Sequence, residues 1–203
     1  MTRLRRSFFA RPTLTVASEL LGQRLVKVER GRRLVGLIAE AEAYIGEEDL
    51  ACHARVGRTQ RTQVMFGPPG HLYVYFTYGM HWMINLVTER EGFPAAALLR
   101  AVLPVEGMAT MIQRRGRSDH LADGPAKIAQ AFGIDKRWNG LDLCAPDADV
   151  TIEKAPAAPD SAVRAAPRVG LGNTPEPWLS KKWNFSIAVE FRQPLRVKLI
   201  ERI

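Results

Sequence analysis

Residues Arg33 to Tyr44 carry a two-residue alternation that a β-strand satisfies and a helix does not. Successive side chains of a strand point to opposite faces, so Ile38, Glu40, Glu42 and Tyr44 are expected on one face. Leu37, Ala39, Ala41 and Ala43 are expected on the other, and the alanines there are small enough to lie against close-packed neighbours. The first face sets two carboxylates and a phenol side by side. It is either a solvated strand surface or one wall of a site, because carboxylates are seldom buried without a partner.

The neighbouring segments extend the pattern. Arg24 to Glu29 reads as a strand paired to this one through the turn Arg30-Gly31-Arg32. Thr13 to Gly22 reads as a short helix, with Thr13 as its cap and Gly22 ending it. Gly46 to Gly70 is a long irregular segment, of the length that is usually functional or disordered inside a domain. Leu72 to Thr77 and Trp82 to Val87 form a hairpin with Tyr78-Gly79 at its tip, and Ala95 to Ala101 is a buried strand ending near Arg100. Val105 to Arg115 is expected to be helical, and Asp123 to Lys127 opens another helix with Pro125 in its first turn. Leu141 to Ile152 and Trp183 to Val189 each hold a strand, and Glu153 to Arg164, rich in Ala and Pro, is either a surface loop or a poorly ordered excursion. Mixed strands and helices without βαβ alternation or internal repeats predict an α+β fold. We expect a single domain over residues 1–203, with a curved, largely antiparallel sheet, flanking helices and a protruding hairpin.

Charge narrows the partner. Lys and Arg number 29 against 21 Asp and Glu, and 46% of residues are hydrophobic, so this is a globular chain with a basic surface. A polyanion is the expected partner, and nucleic acid fits better than a membrane because no basic amphipathic helix or bilayer-length apolar run is present. The basic start, Met1 to Phe9, lacks the apolar core and cleavage site of a secretory signal and is read as part of the domain. Cys52 and Cys144 form no CxxC pair or zinc spacing and read as free thiols.

The segment Leu37 to Arg100 gathers the reactive groups: Glu40-Ala41-Glu42-Ala43-Tyr44, His53, Tyr73-Val74-Tyr75-Phe76-Thr77-Tyr78-Gly79-Met80, Asn85 and Leu98-Leu99-Arg100. One carboxylate among stacking groups in a basic chain suits chemistry on a nucleobase taken out of a duplex. Hydrolysis of an N-glycosidic bond needs a carboxylate to deprotonate a water and to stabilise the cation that develops on the sugar, and Glu42 suits both tasks. Tyr44 and Tyr75 suit the walls of a base pocket, with His53 as a third wall or hydrogen-bond donor. Tyr78, beside Gly79, suits wedge insertion from the minor groove. Singly, each residue also has an ordinary reading: Tyr73 and Tyr75 as core aromatics, His53 as a loop hydrogen-bonder, Arg100 paired to a surface acid. A zinc deaminase needs His/Cys/Cys ligands, which the two distant cysteines do not supply. No lysine falls between Leu37 and Arg100, so hydrolysis by water is favoured over a Schiff-base mechanism.

In that order and spacing the segments closely resemble the alkyladenine (3-methyladenine, or methylpurine) DNA glycosylase family. Gly124-Pro125-Ala126-Lys127 and Arg168-Val169-Gly170-Leu171-Gly172 fit its later motifs, so the similarity runs from about Phe8 onward. The resemblance implies a mixed α/β domain without metal or cofactor that excises 3-methyladenine, 7-methylguanine, hypoxanthine and ethenoadenine from double-stranded DNA and leaves an abasic site. It implies Glu42 as the water-activating group, and Tyr44, His53, Tyr75, Asn85 and Arg100 as base-pocket residues. Asn85 corresponds to the residue that clashes with the amino group of normal guanine, and Tyr78 to the intercalating wedge. Met80 and His81 would touch neighbouring bases or the opposite strand, and Arg55, Arg58 and Lys127 are candidates for the remaining DNA contacts. The C-terminal part, around Trp178 to Phe185, diverges more, and no site residue is assigned there. A compact, cytoplasmic, nucleoid-associated monomer is expected.

A cationic alkylated base held between Tyr44 and Tyr75 would gain about 1–2 kcal/mol of cation–π attraction. Two other functions compete with the glycosylase: a non-catalytic nucleic-acid-binding domain, which would not need Glu42, and a hydrolase of free nucleosides, whose activity would depend little on salt.

Overall fold

A computed structural model describes residues 2–192. It opens with α1 (Arg6–Phe9) and α2 (Thr13–Glu19), followed by β1 (Arg24–Glu29) and β2 (Arg32–Ile45). The long segment after β2 holds two single 3-10 turns, His53–Val56 and Gln63–Phe66, and leads to β3 (Leu72–Thr77) and β4 (His81–Val87). Then come β5 (Ala95–Glu106), α3 (Met108–Arg115) and α4 (Pro125–Phe132), and finally β6 (Val150–Glu153), β7 (Val163–Ala166) and β8 (Asn184–Ile187). The strands form one antiparallel sheet in the order β3-β4-β5-β2-β1-β6, with β8 bonded to β2 and β7 to β8. This is the expected α+β architecture. Among the described residues, no helix is long and apolar enough to cross a membrane.

The fourteen-residue strand β2 organises the sheet. One edge pairs with β5 along nearly its whole length; the other pairs with β1 over its first half and with β8 at Glu40 to Glu42. The turn from β1 is the two residues Arg30 and Gly31, both with positive φ (49° and 74°), the geometry whose twist matches the strands it joins. One face of the sheet carries the main core, where Val16 and Ala17 of α2, Met111 of α3 and Ile128 and Phe132 of α4 pack on Ala41, Ala43, Ile84 and Leu99. Beneath the 46–70 segment a separate cluster of Cys52, Ala54, Met65, Tyr73, Val87 and Ala96 is buried. That second cluster floors the candidate site.

Several sequence expectations need correction. First, the alternation along β2 breaks once. Ile38 joins Ala39, Ala41 and Ala43 in the main core, whereas Leu37 packs with Val35 and Val105. Ile38 pairs with Val102 and Glu40 with Ala101, so Ala39 is an inserted bulge residue. One extra residue exchanges the two faces, so Leu37 rather than Ile38 lies away from the alanines. Second, β5 does not stop at Ala101. It runs to Glu106, paired to β2 throughout, and the helix expected from Val105 starts at Met108. Gly107 marks the break with φ of 78°, and a Cβ there would lie 2.7 Å from the Arg33 carbonyl oxygen. Third, the last strand is shorter than expected, Asn184–Ile187, and the stretch after Glu153 ends in strand β7 rather than remaining irregular. Thr13 is the first helical residue of α2 rather than its cap; Glu89 accepts hydrogen bonds from its amide (2.6 Å) and hydroxyl (2.9 Å).

Candidate active site

A cavity of about 430 Å³ opens on the sheet face covered by the 46–70 segment, within the range of about 300–1,000 Å³ typical of small-molecule sites. Tyr44, His53, Tyr75, Asn85 and Arg100 all line it, and so do Tyr78 and Arg55. The residues expected to form a base pocket, drawn from β2, the long segment, β3, β4 and β5, therefore converge.

Glu42 lies behind this wall rather than on it. It is fully buried, and Tyr44, Arg100 and Val169, which bond to it, line the cavity. Its Oε1 accepts from the Val169 amide (2.7 Å) and from Asn184 Nδ2 (3.0 Å). Its Oε2 accepts from the Tyr44 hydroxyl (2.9 Å) and from Arg100 Nη1 (3.4 Å). Burial, reinforced by the adjacent Glu42 carboxylate, pushes the Tyr44 phenol pKa well up, so Tyr44 remains a donor to Glu42.

Glu40 completes the polar cluster. Its Oε1 accepts from Arg100 Nε (3.0 Å) and from Asn184 Nδ2 (2.8 Å), so both residues bridge the two carboxylates. Arg100 sits at a second register shift between β2 and β5. Glu40 pairs with Ala101 and Ala41 with Leu99, leaving Arg100 as the extra residue on β5, on the cavity face it shares with Leu98.

His53 sits on the opposite wall. Its Nδ1 is 3.0 Å from the Tyr73 hydroxyl, and its ring stands edge-on to Tyr75 with centroids 4.4 Å apart. Burial pulls the imidazole down to about 4, and Arg61 and Arg55 add to the shift, so His53 is neutral at pH 7. Burial likewise raises the Tyr73 and Tyr75 phenols to about 12. Asn85 is buried and donates from Nδ2 to the Tyr73 carbonyl oxygen at 3.1 Å, which fixes its amide at the cavity wall.

The remaining expected residues surround the mouth. Tyr78 is 81% exposed at the tip of the β3–β4 hairpin, with Met80 and His81 exposed beside it. Its φ of 52° is a left-handed conformation uncommon for a non-glycine residue. Arg55 and Arg58 are exposed on the long segment. Lys127 stands in the first turn of α4, whose Pro125 lines the cavity, and is ion-paired to Asp123 at 2.8 Å.

Sequence reasoning assigned no role to several residues that build the site. Arg168 and Asp49 form a fully buried ion pair, with contacts of 2.6 and 2.9 Å. Arg168 also donates to the Ala43 carbonyl oxygen (3.0 Å), and its guanidinium lies over the Tyr44 and Trp183 rings, 4.7 and 5.0 Å from their centroids. The pair ties the 168–172 motif to β2 and so delivers the Val169 amide to Glu42. Asn184 belongs to the C-terminal stretch from which no site residue was expected. The Arg168 motif was visible in the sequence, but nothing there linked it to Asp49 or to Glu42, which lie more than 100 residues earlier. Among the described residues, no group of three His, Cys, Asp or Glu is placed to hold a metal ion.

Comparison with known proteins returns one consistent answer. The family model described as methylpurine-DNA glycosylase (MPG) matches residues 7–190. A protein of Chlorobaculum parvum named "Putative 3-methyladenine DNA glycosylase" is 47% identical over 182 residues, 88% of this chain and 86% of its own length. Proteins of the same name from Methanocella arvoryzae and Myxococcus xanthus are 45% and 48% identical, over 91% and 84% of this chain and 92% and 83% of theirs.

Proposed function

Given that this chain belongs to the methylpurine-DNA glycosylase family, we propose that it takes a damaged purine nucleotide out of duplex DNA into the cavity and hydrolyses its glycosidic bond with a water deprotonated by Glu42. The protein is a hydrolytic N-glycosylase of base excision repair, and DNA is its substrate. What supports the finer reading is above all the fully buried Glu42, held by four donors directly behind an aromatic-walled cavity.

In this reading the purine lies between Tyr44 and Tyr75. The water approaches Glu42 through the cavity wall, between Tyr44, Arg100 and Val169. Its oxygen bonds to the anomeric carbon, its proton passes to Glu42, and the base leaves with the electron pair of the broken bond. Glu40 and Glu42 together outweigh the single charge of Arg100, so the cluster favours the positive charge that develops on the sugar. Asn85 excludes the amino group of normal guanine. Tyr78 fills the gap left in the stack, and Met80, His81, Arg55, Arg58 and Lys127 meet the surrounding duplex. Hypoxanthine, ethenoadenine, 3-methyladenine and 7-methylguanine are the lesions proposed, and the protein acts as a monomer because wedge and pocket address one duplex.

The test is incubation, with EDTA present, of the protein with duplexes carrying a single hypoxanthine or ethenoadenine, abasic sites being read by alkaline strand cleavage. Abasic product that vanishes with Glu42→Gln, while duplex affinity persists and falls steeply with salt, supports the reading. Undiminished product from Glu42→Gln overturns the role given to Glu42.

A further inference from the structure

Both tyrosines proposed to sandwich the base already carry an arginine. Arg168 lies over Tyr44 and Arg61 over Tyr75, with Arg61 Cζ 5.2 Å from the ring centroid; neither arginine lines the cavity. The two differ in how their charge is matched. Arg168 is neutralised by Asp49. Arg61 donates to the Phe76 carbonyl oxygen (3.4 Å), and among the described residues neither it nor Arg55 has a carboxylate at ion-pair distance. At the other end, Glu40 and Glu42 share one arginine. Beyond the burial that raises the Tyr75 phenol pKa, Arg61 lowers it and Glu42 raises it, so both charges act on this ring. The cavity thus has a negative end at Glu42 and a positive end at Arg61 and Arg55.

We propose that Arg61 sets the pocket's preference for the charge of the base, promoting the departure of neutral purines over cationic ones. The proposal rests on the reading that this cavity takes the flipped base. When the glycosidic bond breaks, its electron pair leaves with the base, while the water oxygen bonds to the anomeric carbon and its proton goes to Glu42. Neutral hypoxanthine departs with a growing negative charge and takes a proton from solvent. 7-Methylguanine, cationic while attached, departs neutral. The Arg61 charge, exposed to solvent but held over Tyr75, opposes the sugar-end carboxylates along the direction in which charge separates, and it stabilises the first departure as it develops. It also disfavours a bound cation, so the cation–π gain expected of Tyr44 and Tyr75 is offset by the arginines already on those rings. The neutral state of His53 has the same origin in part: after burial, Arg61 and Arg55 are what depress its protonation.

The deciding experiment measures single-turnover base release from hypoxanthine and 7-methylguanine duplexes, at saturating protein so that DNA affinity is not read. The variants are Arg61→Gln and Arg61→Lys. Arg61→Gln is expected to slow hypoxanthine release about tenfold relative to 7-methylguanine, and Arg61→Lys to restore most of the ratio. Equal slowing of both substrates, or no change in either, overturns the proposal. In parallel, the His53 titration is followed by NMR without DNA, where its midpoint is expected to rise in Arg61→Gln; an unchanged midpoint also counts against the proposal. If the wild-type protein releases neither base, the glycosylase reading fails, and the His53 titration alone decides whether Arg61 polarises the cavity.

Discussion

Arg100 is the extra residue of the β5 bulge, and its guanidinium lies along the Glu42 carboxylate, Nε 3.3 Å from Oε1 and Nη1 3.4 Å from Oε2. Arg100 shares the cavity face of β5 with Leu98, whereas Leu99 and Ala101 point into the main core. There it presents a planar, two-pronged donor to a pair of carboxylates.

That geometry makes lysine a poor substitute. A compact ammonium cannot span Glu40 and both oxygens of Glu42. Arg100→Lys is expected to fold and bind duplex, yet to release hypoxanthine about ten- to a hundredfold more slowly under single-turnover conditions. A rate within twofold of wild type would show that the bidentate placement has no part in the reaction.

Loss of the base itself is more severe. With Glu42→Gln, base release is expected to fall by about 10²–10⁴-fold, the usual worth of a positioned general base, while affinity for the lesion duplex persists. Alkaline cleavage and fluorescence anisotropy on the same oligonucleotide read the two quantities separately.

The Asp49–Arg168 pair has no contact with solvent. Asp49→Ala leaves a guanidinium buried without its counter-ion and is expected to destabilise the protein by about 3–5 kcal/mol, measured by urea unfolding. A conservative surface change such as Arg58→Gln, on the exposed part of the same segment, is expected to shift stability by no more than about 0.5 kcal/mol.

Tyr78 should show stability and function in opposition. Its left-handed backbone favours glycine, and its ring is almost wholly exposed. Tyr78→Gly is therefore expected to leave the unfolding midpoint unchanged or slightly raised, since the left-handed conformation costs other residues roughly 1 kcal/mol. Base release should nevertheless drop, because nothing then holds the gap in the stack open. Unaltered release from duplex DNA would remove the wedge role.

His53 links stability to pH in a direction that can be worked out. Its folded pKa is pulled down to about 4, below the ordinary histidine value of about 6.5. Between those values the unfolded chain binds a proton that the folded protein does not, so acidification through this window lowers stability, and below about 4 the loss levels off. Urea midpoints measured between pH 4 and 7 should fall less steeply in His53→Gln than in wild type. Parallel curves would contradict the burial assigned to His53.

Much of this site could be read along the chain, because the information is local. The alternation around Glu42, the tyrosine-rich hairpin with a glycine at its tip, and the order of Tyr44, His53, Tyr75, Asn85 and Arg100 all depend on backbone periodicity and residue chemistry that operate over a few positions. The same local rules located β1, β3 and the start of α4. They missed the three register shifts between β2 and β5, since an inserted residue leaves no mark in composition and is revealed only by which partner it fails to face. They also missed Asn184, Asp49, Arg168 and Arg61. A buried pair such as Asp49–Arg168 is stable only when both charges are removed from water together, and the burial of Glu42 is tolerated only because donors arrive from β5, β8 and the 168–172 segment at once. Such pairings depend on distance in space rather than along the chain. The sequence by itself therefore determined which chemistry the chain carries, and the tertiary structure alone decided how each charge is matched: Glu42 by four donors, Arg168 by Asp49, and Arg61, among the described residues, by no carboxylate.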